Sequence, residues 1–333
     1  MKKCLLMFFL LMGFSMSAKA GIIDDLNQAV SDVEHDYGLI GQWMSENLSD
    51  GIAKSSVGGI DMPAKVCRQL GFEFGLSLGG EVWKIDRDTF RGLNTRTIDV
   101  TTAGDIDLPD TIGMPAGVLH FKLGLPMSFD LGAKVGSVSR NFDEADSEFT
   151  LDNSVFGVEL RKQVIGQDEL SGVMFPDVSV NLSIDGSNGK LEKREVYYKV
   201  SDVIYNNSNY AQTVRSTTTW ESSWNTGQIG LKVVMSKRLA FLTPFGGFGV
   251  GKNFGDTKTS ISTVGDLVLS PDLGPNQTKQ LNIVSKSKDT ADDVVLRFFA
   301  GMELNIALFH AGLNLSASKD AYAGYLNLRF EYR

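Results

Sequence analysis

The sequence predicts an all-β fold: an antiparallel transmembrane β-barrel of about ten strands, roughly eight to fourteen at the limits, behind an N-terminal amphipathic helix. Three observations predict it. A secretory leader opens the chain, and no later stretch is apolar enough for a membrane helix. From Gln69 onward, segment after segment alternates apolar and polar residues. Glycine is abundant, 35 residues against 8 prolines, and it sits inside apolar strands, where it suits curved walls and crowded interiors.

The leader is Met1–Ala20. Lys2 and Lys3 supply the positive start, Cys4–Met16 the apolar run, and Ala18-Lys19-Ala20 an A-x-A cleavage site, so the mature chain is expected to begin at Gly21. The net charge of −8 becomes three units more negative once Lys2, Lys3 and Lys19 leave, which disfavours nucleic acid as a partner. Cleavage leaves Cys67 alone, without an internal disulfide partner, and its expected role is that of a buried bystander.

Residues 21–60 form a segment of their own. Ile23, Leu26, Val30, Val33, Tyr37, Ile40, Met44 and Leu48 recur at spacings of three and four, one face of a helix. Asp24, Asp25, Asp32, Glu34 and Asp36 occupy the other, and Gly38 with Gly41 predicts a break in the middle. An acidic face is wrong for lying on anionic lipid. Three roles stay open: a plug or cap of the barrel, which is favoured, a surface for a partner helix, or a periplasmic arm.

The barrel is expected over 69–333. In the first strand, about 69–84, Phe72, Phe74, Leu76, Leu78 and Val82 oppose Glu73 and Glu81. Leu119, Phe121 and Leu123 then oppose His120 and Lys122. After a turn at Gly124–Met127, Leu131, Ala133 and Val135 oppose Asp130 and Lys134. Phe156, Val158 and Leu160 oppose Glu159 and Arg161; Val178, Val180, Leu182 and Ile184 oppose Asp177 and Asn181; Ile229, Leu231 and Val233 oppose Gln228 and Lys232. Val294, Leu296, Phe298, Met302 and Leu304 oppose Arg297 and Glu303, and His310 follows on the polar side. In the last strand Leu326, Leu328, Phe330 and Tyr332 oppose Tyr325, Asn327, Arg329 and Glu331. Short links near 124–127, 166–172, 237–240 and 305–307 alternate with long polar ones near 86–114, 139–150, 186–215 and 263–291, the asymmetry of periplasmic turns and outer loops. The segments 95–101 and 194–205 remain candidates for further hairpin arms or strand extensions.

A closed barrel pairs every backbone N–H and C=O within the sheet, so its apolar face can meet outer-membrane lipid. An Arg or Lys on that face costs about 2–4 kcal/mol at the midplane. The charged positions therefore belong to the lumen: Glu73, Glu81, His120, Lys122, Asp130, Lys134, Glu159, Arg161, Lys232, Arg297, Glu303, His310 and Arg329. With mixed signs and about ten strands, the lumen is either a salt-bridged core or a narrow polar channel. Trp83, Tyr322, Phe330 and Tyr332 suit interfacial belts.

The A-x-A leader, the alternating strands and the closing segment Gly324-Tyr325-Leu326-Asn327-Leu328-Arg329-Phe330-Glu331-Tyr332 together resemble bacterial outer-membrane β-barrel proteins, including uncharacterised barrel families and, more loosely, the long-chain fatty-acid transporters with their N-terminal plug. The closing segment is similar to the C-terminal signal read by the outer-membrane assembly machinery, although Arg333 follows the final aromatic. The resemblance implies residence in the outer membrane and carries over no ligand site.

Catalytic and metal readings are weak. His120 and His310 face inward near one depth, but no further metal ligands sit at suitable spacing. Ser128 and Asp130 share His120's predicted face, yet both types are ordinary in a lumen. Gly246–Gly251 lies in a strand and precedes no helix, so it is no phosphate loop. The expected function is non-enzymatic transport or permeation of a small solute, with the helix partly occluding the lumen and no cofactor. The alternatives are a structural or adhesive protein whose filled barrel anchors partner-binding loops, and a barrel-embedded hydrolase.

Overall fold

A computed structural model describes residues 22–55, 61–98, 100, 110–144, 147–166, 175–205, 208–271 and 276–332. The predicted leader lies outside the described residues.

Helix α1, Ile22–Ser55, runs unbroken through Gly38 and Gly41. The predicted break is absent because both glycines lie against strand β8 (Gln277–Thr290), where the missing side chains admit it. A Cβ on Gly41 would stand 3.0 Å from the Ser287 hydroxyl, and one on Gly38 3.6 Å from that of Ser285. Tertiary packing here overrides the intrinsic cost of glycine in a helix.

The remaining strands are β1 (Phe72–Lys84), β2 (Thr111–Leu125), β3 (Phe129–Glu144), β4 (Ser147–Ile165), β5 (Asp177–Tyr205), β6 (Ser208–Ser236), β7 (Leu242–Pro271), β9 (Val294–Ile306), β10 (Phe309–Ser318) and β11 (Ala321–Tyr332). A short helix, α2 (Arg87–Arg91), lies between β1 and β2. All described pairings are antiparallel, and the sheet closes where β1 meets β11, from Phe72 opposite Tyr332 to Trp83 opposite Ala321. The eleven strands occupy ten positions around the ring, because β8 and β9 share one flank of β7. The lower part of β7, Leu242–Lys252, pairs with β9, and the upper part, Asp256–Leu269, pairs with β8. At the junction Gly255 takes φ +108°, and Ala291 N–H donates to its carbonyl at 3.1 Å, so the ladder bends without being lost.

Side chains alternate as a period of two requires. On β1, Phe74, Leu78 and Val82 are exposed while Glu73, Ser77 and Glu81 are buried. The same parity gives an outer belt from Leu119 and Phe121 through Leu131, Val135, Phe156, Val158, Leu182, Ile184, Ile229 and Leu231 to Leu296, Phe298, Leu313, Leu326 and Leu328.

Connections at one end are short: Pro126–Ser128 between β2 and β3, 237–241 between β6 and β7, and 307–308 between β9 and β10. The other end is taller than the sequence suggests. The segments 186–215 and 263–291, expected as polar links, are mostly strand, since β5, β6, β7 and β8 continue far past the belt. On β5 the outward residues turn polar at Asn188, Glu192 and Arg194 and apolar again at Val196, Tyr198 and Val200, so the candidate extension at 194–205 is strand and the pairing continues through it. The link from β10 to β11, 319–320, is short although it lies at this tall end.

Residues 61–68, unassigned by any periodicity, and 69–71, expected as the start of the first strand, run through the barrel ahead of β1, which begins at Phe72. Asp61 reaches Lys232 and Arg297 mid-lumen, Cys67 meets Asp130 near the lower rim, and Leu70 N–H donates to the Gly124 carbonyl at 3.0 Å just before β1 begins. The helix is thus at the tall end, and the first strand starts at the short-turn end.

Candidate functional site

Two places carry chemistry: the charged lumen and the head that stands above it.

The lumen charges form pairs. Arg161 grips Asp130 with its Nε at 3.1 and 3.2 Å and its Nη2 at 2.5 Å, and its Nη1 donates to the Pro63 carbonyl at 2.9 Å. Lys122 lies 2.5 Å from Glu159, and Lys134 lies 2.7 Å from Asp185. Asp61 takes both Lys232, at 3.2 Å, and Arg297, at 2.7 Å, and Arg297 also donates to Ser316. Glu81 lines the same cavity as Lys232 and Arg297. Near the short-turn end Arg329 bridges Glu73 and Glu303.

The two histidines lie on one line of paired residues, which climbs the wall with the strand tilt. His120 pairs in register with Gly75, Gly75 with Arg329, Arg329 with His310, and His310 with Asn305. His310 Nδ1 contacts Asn305 Oδ1 at 2.6 Å, and its ring lies 3.5 Å from Glu303 and 3.4 Å from Glu331. His120 lies 3.6 Å from Glu73, beyond hydrogen-bond distance. Ser128 is exposed in the turn before β3, so Ser128, His120 and Asp130 do not converge on one site. Among the described residues no group of three or more His, Cys, Asp or Glu side chains is placed to hold a metal.

Charges this deeply buried persist only when paired, because an isolated ion loses its hydration. Here the pairing is completed by the threaded segment, which the strand pattern could not reveal. Pro63 lends its carbonyl to Arg161, while the N–H groups of Ala64, Val66 and Cys67 donate to Ser236, Gln163 and Asp130 at 2.9, 3.3 and 3.3 Å. Met62 packs with Val118 and Val155, and Ala64 with Val234, Phe245 and Phe299. Three small cavities lie among these side chains, one lined by Glu81, Lys232 and Arg297, one by His120, Lys122 and Glu159, and one by Glu73, Glu303 and His310, each with room for about one or two waters.

The head is built on α1. Val33, Tyr37, Ile40 and Trp43 pack into Val214 of β6, Ile261 and Leu267 of β7, and Leu281 and Ile283 of β8. Fully burying a side chain of this size contributes about 1.5–3 kcal/mol, so this face stabilises the helix far more than its propensity does. The Tyr37 hydroxyl meets Thr263 at 2.8 Å, and burial pushes its pKa up. Farther along, Leu48 and Ile52 lie over the barrel mouth against Trp83, Met114, Leu151, Trp224 and Ala321.

Polar contacts tie the β1–β2 connection to the same helix. Trp43 Nε1 donates to the Asp86 carbonyl at 2.8 Å, and Asp86 N–H donates to Asn47 at 2.8 Å. The Asp86 side chain caps α2, and the hydrogen bond from the Thr89 hydroxyl holds its carboxyl below the usual range. Buried Asp36, read from the sequence as solvated, accepts from the N–H groups of Arg96, Thr97 and Ile98 at 2.8, 2.7 and 2.9 Å. Each such bond is worth about 1 kcal/mol or more net. Asp36→Ala is expected to free this bend, so that limited trypsin digestion cleaves after Arg96 several-fold faster than in the parent; an unchanged cleavage rate contradicts the role given to Asp36.

A family model described as Lsa36-like matches residues 99–332, from the β1–β2 connection to the end of β11. Comparison with curated proteins finds no match. Among solved structures, the chain is similar to the translocator domain of the autotransporter NalP from Neisseria meningitidis, at 10% identity over 79% of this chain and 88% of that one, with a TM-score of 0.30. It is also similar to Ail of Yersinia pestis, at 9% identity over 79% and 99% of the two chains with a TM-score of 0.24, and to a FadL homologue of Pseudomonas aeruginosa, at 6% identity over 79% and 89% with a TM-score of 0.25. The family match spans well over half of the chain, which therefore belongs to the Lsa36-like family.

Proposed function

We propose that this chain is an outer-membrane β-barrel whose filled lumen serves as an anchor, and whose tall hairpins and helix α1 form an outward-facing head that binds a surface partner. In this reading the leader is removed after Ala20, the closing strand is read by the assembly machinery, and the outer belt meets acyl chains. The supporting observation is Asp61, ion-paired to Lys232 and Arg297 in the middle of a lumen that residues 61–71 occupy. A lumen crossed by a chain segment and bridged by paired charges fits an anchor better than a solute path.

Permeation remains the second reading, supported by the polar lumen and by a filler held through noncovalent contacts alone. Planar-bilayer conductance separates the two. The intact protein is expected to stay closed, and so is a form lacking 21–55, since the threaded segment still fills the lumen. A steady conductance from the intact protein overturns the anchor reading in favour of a channel.

A further inference from the structure

We propose a second activity for the barrel: it carries its own N-terminal segment across the membrane, and residues 61–71 are the stretch that stays in transit. The inference rests on the outer-membrane reading above, because that reading fixes the side from which the chain arrives.

The topology carries the argument. Strand β1 begins and β11 ends at the short-turn end, where Phe72 faces Tyr332 and Leu70 N–H is bonded to the Gly124 carbonyl. Helix α1 packs at the opposite end, on the parts of β6, β7 and β8 that stand beyond the belt. A secreted barrel precursor reaches the membrane from the side of its short turns. Residues 22–55 must therefore change sides, and residues 61–71 mark their route through the lumen.

Size decides the form in which they travel. Ten ring positions, with strands about 4.8 Å apart and tilted by about 40°, set the backbone on a circle roughly 20 Å across, and inward side chains cut the clear bore to roughly 10 Å or less. A helix with its side chains is about 10–12 Å wide, whereas an extended chain is narrower. The segment passes as extended chain and folds on arrival against Ile261, Leu281 and Ile283, where apolar burial makes the step favourable. Gly38, Gly41 and Gly51 lower the helix propensity of the traveller and so favour the extended form in transit.

The lumen is also furnished for an extended chain. Arg161 accommodates one backbone carbonyl, and Ser236, Gln163 and Asp130 accept from three backbone N–H groups of the segment. Those side chains replace hydration that a backbone passing through a narrow bore loses.

Single cysteines in a Cys67→Ala chain, expressed in cells with an outer membrane and probed with a membrane-impermeant maleimide, test the proposal. Gln28→Cys reports on the exposed side of α1, Lys319→Cys on the turn at the tall end, and Met127→Cys on the exposed turn at the other end. Gln28→Cys and Lys319→Cys are expected to label in intact cells, and Met127→Cys only after lysis. Labelling at Lys319→Cys with none at Gln28→Cys until lysis overturns the export and leaves the outer-membrane reading standing. Labelling at neither site in intact cells removes both. A second arm places a stably folded domain, wider than the bore, immediately before Gly21. Surface labelling of Gln28→Cys is then expected to be lost while that of Lys319→Cys persists; undiminished labelling of Gln28→Cys overturns passage through the lumen.

Discussion

Asp61→Ala is expected to destabilise the barrel by about 3–5 kcal/mol, the cost of breaking a buried ion pair from one side. The substitution removes the carboxylate that takes both Lys232 and Arg297, at 3.2 and 2.7 Å. It also loosens the threaded segment at its middle, since Asp61 enters the lumen on that segment and not on the wall. Lys232 and Arg297 then lose the carboxylate they share and keep weaker neighbours, such as Ser316 and the more distant Glu81, in a cavity too small to restore their hydration. The urea midpoint in detergent micelles, read from the gel-mobility shift between folded and unfolded barrel, checks the size of the effect. The triple variant Asp61→Leu, Lys232→Met, Arg297→Met separates lost pairing from stranded charge. An apolar triad of similar volume is expected to recover most of the loss. If the triple variant is as unstable as Asp61→Ala, the damage comes from packing around Met62 and Ala64 instead.

That prediction turns on a residue no strand pattern could find. The parity of the walls was legible because a barrel strand has one face in and one face out, so Glu73, Lys122, Arg161, Arg297 and Arg329 declared their side by their apolar neighbours. Ten ring positions followed from counting such runs, and β8 did not disturb the count because it continues in the place of β9. Asp61 belongs to an extended segment that meets the wall on all sides, so neighbouring residues obey no alternation. The tall arms of β5 and β6 were only partly legible: 194–205, with Val196, Tyr198 and Val200 outward, read as a candidate strand extension, whereas Asn188, Lys190 and Glu192 made the stretch before it read as a loop. Their pairing is nevertheless continuous to Tyr205 and Ser208, and their inner face is completed by α1, which lies more than a hundred residues away in sequence. Asp36 looked like one of several solvated acids on α1 because its partners, the N–H groups of 96–98, are backbone atoms of a distant bend.

Arg329→Met tests the other end of the lumen, and its expected loss is as large, again about 3–5 kcal/mol. Arg329 is the bridge between Glu73 of β1 and Glu303 of β9, with His310 of β10 beside Glu303 and Glu331. Glu73, Glu303 and Glu331 are then left around the lost guanidinium, with His120 near Glu73 and His310 beside Glu303 and Glu331. The position on β11 adds a second consequence. This strand closes the ring on β1, so like-charge repulsion between Glu73 and Glu303 acts across the seam that assembly must complete. Refolding into detergent is therefore expected to slow, and the folded yield to fall. Acidification supplies the discriminating measurement. Protonated carboxyls need no counter-charge, so the deficit of Arg329→Met relative to the parent is expected to shrink as pH falls, whereas a deficit caused by lost packing alone stays constant. The deficit of Asp61→Ala is expected to shrink as well, for the other reason: acid protonates Asp61 in the parent and so removes there the pairing with Lys232 and Arg297 that the variant already lacks. Measured over one pH series, both deficits should shrink on acidification, and deficits that stay constant with pH would show that the lumen charges are not held as the pairs described.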